Sequence, residues 1–192
     1  MDSDQECLHW RRVGEFGIGG TAVVALVLSL LGRTLWGAGG SLMFWTGDIH
    51  GPLNSQCLAD PFTLVHFTHG LVLFLSLSWA AQKRSPTTRF GAAYALEAIW
   101  EIAENTTFAI EAFRRQGMQQ GYYGDSILNA VGDLVTAGIG VGVATILAAR
   151  TSWKVVVGLI AMLEVLAWLW IREGVFLILG RLLLTVGKRV GG

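Results

Sequence analysis

Histidine and acidic residues recur at helical spacing inside stretches that are otherwise apolar. Residues three or four positions apart lie on one face of a helix, so each group presents its polar side chains together. Carboxylate oxygens and neutral imidazole nitrogens are donors that bind divalent cations in proteins. The spacing therefore predicts a cation-binding or proton-sharing site assembled from several helices. The groups are His66 with His69, then Glu97 with Glu101 and Glu104, then Ser126 with Asn129 and Asp133.

The depth of these polar residues along their segments is also similar. At a rise of ~1.5 Å per residue, they and Glu164 fall in the same half of a bilayer if consecutive segments alternate in direction. An ionised carboxylate at the bilayer centre costs ~2.5 to 3.5 kcal/mol, so several facing lipid would cost on the order of 10 kcal/mol. We therefore expect these side chains to face inward and to meet. No Lys or Arg lies at the same depth to neutralise them.

The composition identifies the medium around these helices. The chain has 192 residues, of which 53% are hydrophobic and 15% are charged, and its mean hydropathy is +0.52. An ordinary soluble domain has roughly 25% charged residues. The 14 basic residues equal the 14 acidic ones, so no net charge favours a nucleic-acid partner. The composition predicts an all-α integral membrane bundle whose first partner is the lipid bilayer.

Five segments are long and apolar enough to cross a bilayer. A sixth segment, 175–186, is short and contains Arg181, so it is either an interfacial helix or a partial crossing. We expect a single domain over residues 1–192 with five or six transmembrane helices, in which Gly138 and Gly142 permit close helix approach. The five segments are 16–36, 62–81, 90–113, 126–149 and 153–171.

Basic residues favour one side of these segments. Cations concentrate in cytoplasmic loops, and the side that holds the N-terminus carries more of them. This bias predicts a multi-pass membrane protein with a cytoplasmic N-terminus and a site that opens toward the outer leaflet. The first segment is expected to stay uncleaved because no AxA-type site follows it. The cations on the N-terminal side are Arg11, Arg12, Lys83, Arg84, Arg89, Arg150 and Lys154, and those opposite are Arg33, Arg114 and Arg115.

The residue types assign a role to each member of the site if it is catalytic. His66, His69 and Asp133 are expected to bind a divalent cation, which would lower the pKa of a bound water toward neutrality. Glu101 or Glu104 would act as the general base or as a further ligand. The reaction would be hydrolysis or group transfer on a lipid or envelope-precursor head group.

Two polar loops meet the same end of the predicted bundle. Asn54 and Tyr123 in these loops are expected to position substrate, together with Asn129 in the first turn of the following helix. Asp125 is expected to orient the reacting groups and, with the serine after it, to cap that helix. The neighbouring Tyr122 and Tyr123 are also typical of interfacial anchors.

Several short motifs run from the first loop to the fifth segment. They are NSQ with Asp60, HFTHG from His66, EAIWEIAEN from Glu97, GYYGDSILN from Gly121 with Asp133, and MLE ending at Glu164. These motifs resemble a family of bacterial multi-spanning inner-membrane proteins of unknown function. The resemblance implies a membrane fold and supports the site residues, but it implies no reaction. More distantly, the sequence resembles the VanZ-like membrane proteins associated with glycopeptide resistance.

Two positions depart from the family pattern. Cys57 stands where that pattern has His, and Arg172-Glu173-Gly174 replaces Arg-Asp-Asn. Neither Cys57 nor Glu173 is therefore expected to be a ligand, whereas the central set is unaffected.

Two other functions are open on the sequence alone. The polar residues could form an interhelical hydrogen-bond network in a non-catalytic membrane subunit or assembly factor, with another membrane protein as partner. They could instead relay protons or cations in a small transporter. The residues thus leave open whether the chain is an enzyme and whether a divalent cation is its cofactor.

Overall fold

The computed structural model describes residues 10–37, 40–115 and 121–190, and in these residues every regular element is a helix. One isolated bridge pairs Trp45 with Ala59. The all-α prediction is confirmed. The helices are α1 (Trp10–Leu30), α2 (Thr63–Ala80), α3 (Pro86–Glu104), α4 (Thr107–Arg115), α5 (Ile127–Arg150), α6 (Trp153–Ile171) and α7 (Val175–Val190).

Four of these helices, α1, α2, α5 and α6, are long and apolar enough to cross a membrane. Like α6, α3 has 19 residues, but the charge of Glu97, Glu101 and Glu104 places it outside that group. α7 is shorter, with an apolar stretch over Val175–Thr185. The described helices therefore define a helical membrane bundle, as the composition predicted.

The continuous helix predicted over 90–113 is instead two helices separated at Asn105. Asn105 Nδ2 donates to the carbonyl oxygen of Glu101 (3.0 Å), and Thr106 Oγ1 donates to that of Ala103 (2.6 Å). Side chains that bind nearby carbonyl groups in this way compete with the backbone donors of a continuing helix. The first helix also differs from its predicted range of 16–36, because it ends at Leu30.

The helices alternate in direction. α1 and α3 run the same way, because Thr21 hydrogen-bonds Tyr94 (3.0 Å) and Arg33 beyond α1 hydrogen-bonds the carbonyl oxygen of Asn105 beyond α3 (3.1 Å). The short turn at 81–85 reverses the chain between α2 and α3, and 151–152 reverses it between α5 and α6. The first turns of α2 and α5 and the last turn of α3 therefore lie at one end of the bundle.

α2 and α5 are packed backbone to backbone. A Cβ atom added to Gly70 would lie 2.1 Å from the carbonyl oxygen of Ala137, and one added to Gly140 would lie 2.3 Å from that of Phe67. No larger residue fits at either position unless a helix moves. The two helices run parallel, and this contact holds their polar first turns side by side.

The prediction that Gly138 and Gly142 permit close helix approach is wrong, because Gly140 is the α5 glycine in contact with α2. A Cβ atom on Gly138 would meet the ring of Tyr94 at 3.0 Å, and nothing lies within 4 Å of one on Gly142. The four-residue spacing indicated α5 correctly as a closely packed helix, but the face in contact with α2 is the one that carries Gly140.

Apolar side chains form three clusters in the bundle. One joins α1, α3 and α5, a second joins α4, α6 and α7 to the start of α2, and a third joins α2, α5 and α6 at their far ends. Each cluster contains fully or nearly fully buried residues, respectively Leu28 with Leu134, Val65 with Ile171, and Leu71 with Val156.

Candidate functional site

Two histidines of α2 share one glutamate of α3. His66 Nδ1 lies 2.8 Å from Glu97 Oε1, and His69 Nδ1 lies 3.1 Å from the same oxygen. The imidazole rings of His66 and His69 are 5.2 Å apart, and His69 makes an edge contact with Trp100 at 5.2 Å. His66, His69 and Glu97 are all buried, so this group is shielded from bulk solvent.

His66 also connects α2 to two further carboxylates. Its Nδ1 lies 3.0 Å from Glu101 Oε1, and its Nε2 lies 3.9 Å from Asp133 Oδ2 on α5. Asp133 is held by Thr63, whose hydroxyl donates to Asp133 Oδ1 (2.8 Å). The predicted meeting of imidazoles and carboxylates from separate helices is thus present in the structure.

Glu101 occupies an unusual position in this group. Its side chain is fully buried, yet neither carboxylate oxygen has a hydrogen-bond partner among the described residues. The contact with His66 Nδ1 is short enough for a charge interaction but does not have hydrogen-bond geometry. A buried carboxylate without hydrogen bonds is costly unless another positive group or a proton balances it.

Two overlapping sets of side chains could hold one metal ion. The ligand atoms of His66, His69 and Glu97 all lie within 4.8 Å of one another, and so do those of His66, Glu101 and Glu104. Both sets combine imidazole with carboxylate, which suits zinc and other first-row divalent cations. The donor set therefore fits the predicted cation.

The loop before α2 is organised by a buried aspartate. Asp60 accepts from the backbone N–H groups of Ser55 (2.7 Å) and Phe62 (2.8 Å). Asn129 Nδ2 donates to the carbonyl oxygen of Cys57 (2.9 Å) and lies 3.4 Å from Asp60 Oδ2. Burial raises the pKa of Asp60, and the backbone donors lower it in part.

The loop before α5 is organised in a similar way by Asp125. Asp125 accepts from Asn105 Nδ2 (2.6 Å) and from the Tyr122 hydroxyl (3.0 Å), and its backbone N–H donates to Asn105 Oδ1 (2.8 Å). Burial raises the pKa of Asp125, while these two donors lower it in part. Burial and then the charge of Asp125 raise the pKa of Tyr122 well above its ordinary value. Ser126 caps α5, as predicted, by accepting from the N–H of Asn129.

Two adjacent cavities lie at this end of the bundle. The inner one, of about 40 Å³, has room for water or an ion, since one water needs ~10–15 Å³ of this kind of volume. The outer one, of about 280 Å³, lies between the two loops. Tyr122 lines both cavities. The polar residues that line the inner cavity include His66, His69, Glu104, Asp125, Asn129 and Asp133.

The predicted site residues therefore divide between the two cavities. Of the predicted ligands, His66 and His69 belong to a candidate ligand set, whereas Asp133 belongs to neither set and lines the inner cavity. Both predicted bases, Asp125 and Asn129 form or line the inner group, and Asn54 and Tyr123 line the outer cavity. Glu164 is not part of either, because it accepts from the backbone N–H of Val175 (2.9 Å) and caps α7. Tyr122 is buried, which corrects its prediction as an interfacial anchor.

Several contributors had no assigned role in the sequence prediction. Glu97 lay on the predicted glutamate face, and its i, i+4 relation to Glu101 was the available signal. Asp60 was visible only as a motif residue. Asn105 and Arg33 had no local signal, because their partners are distant in sequence: Arg33 donates to the backbone carbonyls of Asn105 and Tyr123.

The fold and the site define a helical membrane protein with a buried histidine–carboxylate centre. Residues 28–187 match the family described as "Protein of unknown function (DUF2585)", and the chain belongs to that family. This confirms the predicted membership of an uncharacterised family. The more distant resemblance to VanZ-like proteins is not tested by this match and stays a prediction.

Similar proteins, each named UPF0314 protein, are found in several bacteria. One from Brucella anthropi is 34% identical over 168 residues, covering 84% of this chain and 83% of its own. One from Paracoccus denitrificans is 36% identical over 155 residues, covering 81% and 78%. No solved structure matches the chain.

Proposed function

We propose that this protein is a multi-pass inner-membrane enzyme that binds a divalent cation and hydrolyses or transfers a group on a lipid or envelope-precursor head group. The observation that carries the proposal is the environment of the Glu101 carboxylate. Its fully buried carboxylate has no hydrogen-bond partner in the described chain, and it lies beside an imidazole and a second glutamate at metal-ligand distances. A cation bound there would compensate the buried charge.

The other side chains of the inner group have distinct parts in this proposal. His66 joins both candidate ligand sets, and Asp133 lies on its far side, where it orients the ring. A bound divalent cation would lower the pKa of a ligated water. Glu104 lines the cavity and would act as the base that receives the proton of that water, with the ligands drawn from His66, His69, Glu97 and Glu101.

The proposed reaction balances with these groups alone. The water oxygen would form a bond to the electrophilic centre of the head group, which is an acyl or anomeric carbon or a phosphorus, and the bond from that centre to the leaving oxygen would break. Glu104, having taken the proton from water, would return it to that leaving oxygen. In a transfer reaction the hydroxyl of an acceptor molecule replaces water in the same step.

The arrangement of cations supports a site that opens away from the cytoplasm. Arg11 and Arg12 at the start of α1, Lys83 between α2 and α3, and Arg150 with Lys154 between α5 and α6 belong to the end of the bundle opposite the cavities. Because cytoplasmic loops are enriched in cations, this end is assigned to the cytoplasm together with the N-terminus.

Metal analysis of the purified protein tests the proposal. Wild-type protein is expected to carry close to one divalent cation per chain, His66→Ala is expected to lose it, and Asp133→Ala is expected to bind it about 10- to 100-fold more weakly. Glu111→Gln is the matched control, because Glu111 is an exposed carboxylate paired with Arg115 and lies outside the cavities. Folded wild-type protein that binds no added Zn²⁺, Mn²⁺ or Mg²⁺ would refute the cation site.

A non-catalytic membrane subunit or assembly factor is the second candidate. The observation that favours it is that buried amides at this end bind backbone groups: Gln56 Nε2 donates to the carbonyl oxygen of Gly124 (3.0 Å), as Asn129 does to that of Cys57. For this function, Glu101→Gln and His69→Gln would alter thermal stability. Each variant, expressed in a strain that lacks the gene, would still fully restore the wild-type phenotype.

A further inference from the structure

The outer cavity has a different chemistry from the histidine–carboxylate group beneath it. Its polar lining consists of the amides of Asn54 and Gln56, the rings of Tyr122 and Tyr123, and His50. We propose that this cavity binds an uncharged sugar or polyol head group. The inference rests on the proposed function, because it specifies the head group on which the inner centre would act.

Asn54 is the residue that points to a ligand. Only 9% of it is exposed, and its Oδ1 accepts no hydrogen bond from the described residues. A buried amide oxygen without a donor costs ~1 to 3 kcal/mol. Asn54 lines the cavity, and a hydroxyl donates one hydrogen bond and accepts others, so a polyol bound there would satisfy this oxygen once the amide rotates toward the cavity.

The lining of the outer cavity does not present a charged group for an anion, because Arg33 and Arg114 beside it donate to the backbone carbonyl oxygens of Tyr123 and Tyr122. No Lys or Arg belongs to the part of its lining that the structure describes. Asp48 lies beside two lining residues, since it accepts from the backbone N–H of His50 and lies 2.7 Å from the position of a Cβ atom on Gly51. Phosphate sites in proteins are built from Arg, Lys or clustered backbone N–H groups, and the described lining contains no Lys or Arg.

Its size and position fit one ring-sized head group. The volume of about 280 Å³ is close to the lower end of the ~300–1,000 Å³ typical of ligand pockets. Amides and aromatic rings are the kind of lining that fixes the orientation of a neutral ligand. Because Tyr122 lines both cavities, a head group in the outer one adjoins the inner centre.

Native mass spectrometry of the full chain with three lipids that share dioleoyl tails tests this assignment. Glucosyl-dioleoylglycerol is expected to bind at least about tenfold more tightly than dioleoylglycerol or dioleoylphosphatidylglycerol. Asn54→Ala is expected to weaken glucosyl lipid binding about tenfold, the equivalent of one buried hydrogen bond. Gln82→Ala is the matched control, because Gln82 is an exposed amide in the turn between α2 and α3.

Tyr123→Ala provides a second variant, since its side chain is 44% exposed and can be removed without opening the core. It is also expected to weaken glucosyl lipid binding. Equal binding of glucosyl-dioleoylglycerol and dioleoylglycerol, or a preference for the phosphatidylglycerol, overturns the assignment. So does unchanged binding by both folded variants.

The metal content of the same preparations separates this inference from the proposed function. Wild-type protein that prefers the glucosyl lipid but binds no metal would refute the cation-dependent reaction and leave the head-group site standing. Protein that binds metal but shows no lipid preference would refute the head-group site and leave the cation-dependent reaction standing. Asn54→Ala is expected to retain its metal while losing the lipid.

Discussion

The two halves of the α2–α5 pair differ in what holds them together. In one half, Gly70 and Gly140 let the backbones touch, and Leu71 and Ala144 are fully buried beside them. In the other half, His66 of α2 and Asp133 of α5 line a small cavity, and Glu97 and Glu101 of α3 lie against His66. The comparison indicates that the apolar half supplies the helix contact. The polar half can therefore retain charged groups whose burial costs free energy.

Such a division is common where function requires poorly stabilised groups. Functional sites carry local features that do not favour folding, and well-packed regions compensate for them. Here the well-packed region that compensates lies next to the polar group, because α2 belongs to both. Three experiments test the difference between the two halves, and the one with the largest expected effect comes first.

Gly70→Val tests the apolar half. The new side chain would overlap the carbonyl oxygen of Ala137, so we expect the free energy of unfolding to fall by about 3 kcal/mol. Gly142→Ala is the control, because nothing lies within 4 Å of its added Cβ and its effect should stay within ~1 kcal/mol. Thermal unfolding in detergent measures both, and equal losses would contradict the proposed helix contact.

Glu101→Gln and Glu97→Gln test the polar half. Glu101→Gln removes a buried carboxylate that has no hydrogen bonds, so the cation-free protein should be as stable as wild type or more stable, with cation affinity at least about tenfold weaker. Glu97→Gln weakens two contacts to histidine, so its melting temperature should fall. Titration calorimetry and thermal unfolding measure the two effects. Identical behaviour of the two variants would refute the distinction.

Asp125→Asn tests whether the loops at the polar end make stability depend on pH. Burial raises the pKa of Asp125 in the folded protein, so between its ordinary and raised pKa the folded state binds more protons than the unfolded state. The contribution of Asp125 to stability therefore falls as the pH rises through this window. We expect Asp125→Asn to reduce the decline of melting temperature with pH. Asp48→Asn, at an exposed carboxylate, should keep the wild-type slope, and an unchanged slope in both would contradict the prediction.

Local spacing predicted much of the site because helices convert sequence distance into direction. His66 and Asp133 meet since each lies in the first turns of a helix, and parallel neighbours place such turns together. The serine at position 126 was recognisable as a cap for the same reason, because its partner Asn129 is three residues away.

Features that depend on distant backbone groups were not predictable in this way. The end of α3 at Asn105 involves a side chain that also binds Asp125, twenty residues later. Glu164 matched the depth of the polar group, but its partner is the start of α7. Composition indicates that a polar residue in a membrane helix needs a partner, but it does not identify that partner.

The order of α2 and α3 along the chain has a consequence for biogenesis. Chains are synthesised from the N-terminus, so α2 with its two imidazoles leaves the ribosome before the glutamates of α3. When Glu97 enters the bilayer, His66 and His69 are already available as its neighbours. The helix with the most carboxylates thus follows immediately after the one whose imidazoles can receive them, and Asp133 is synthesised after both.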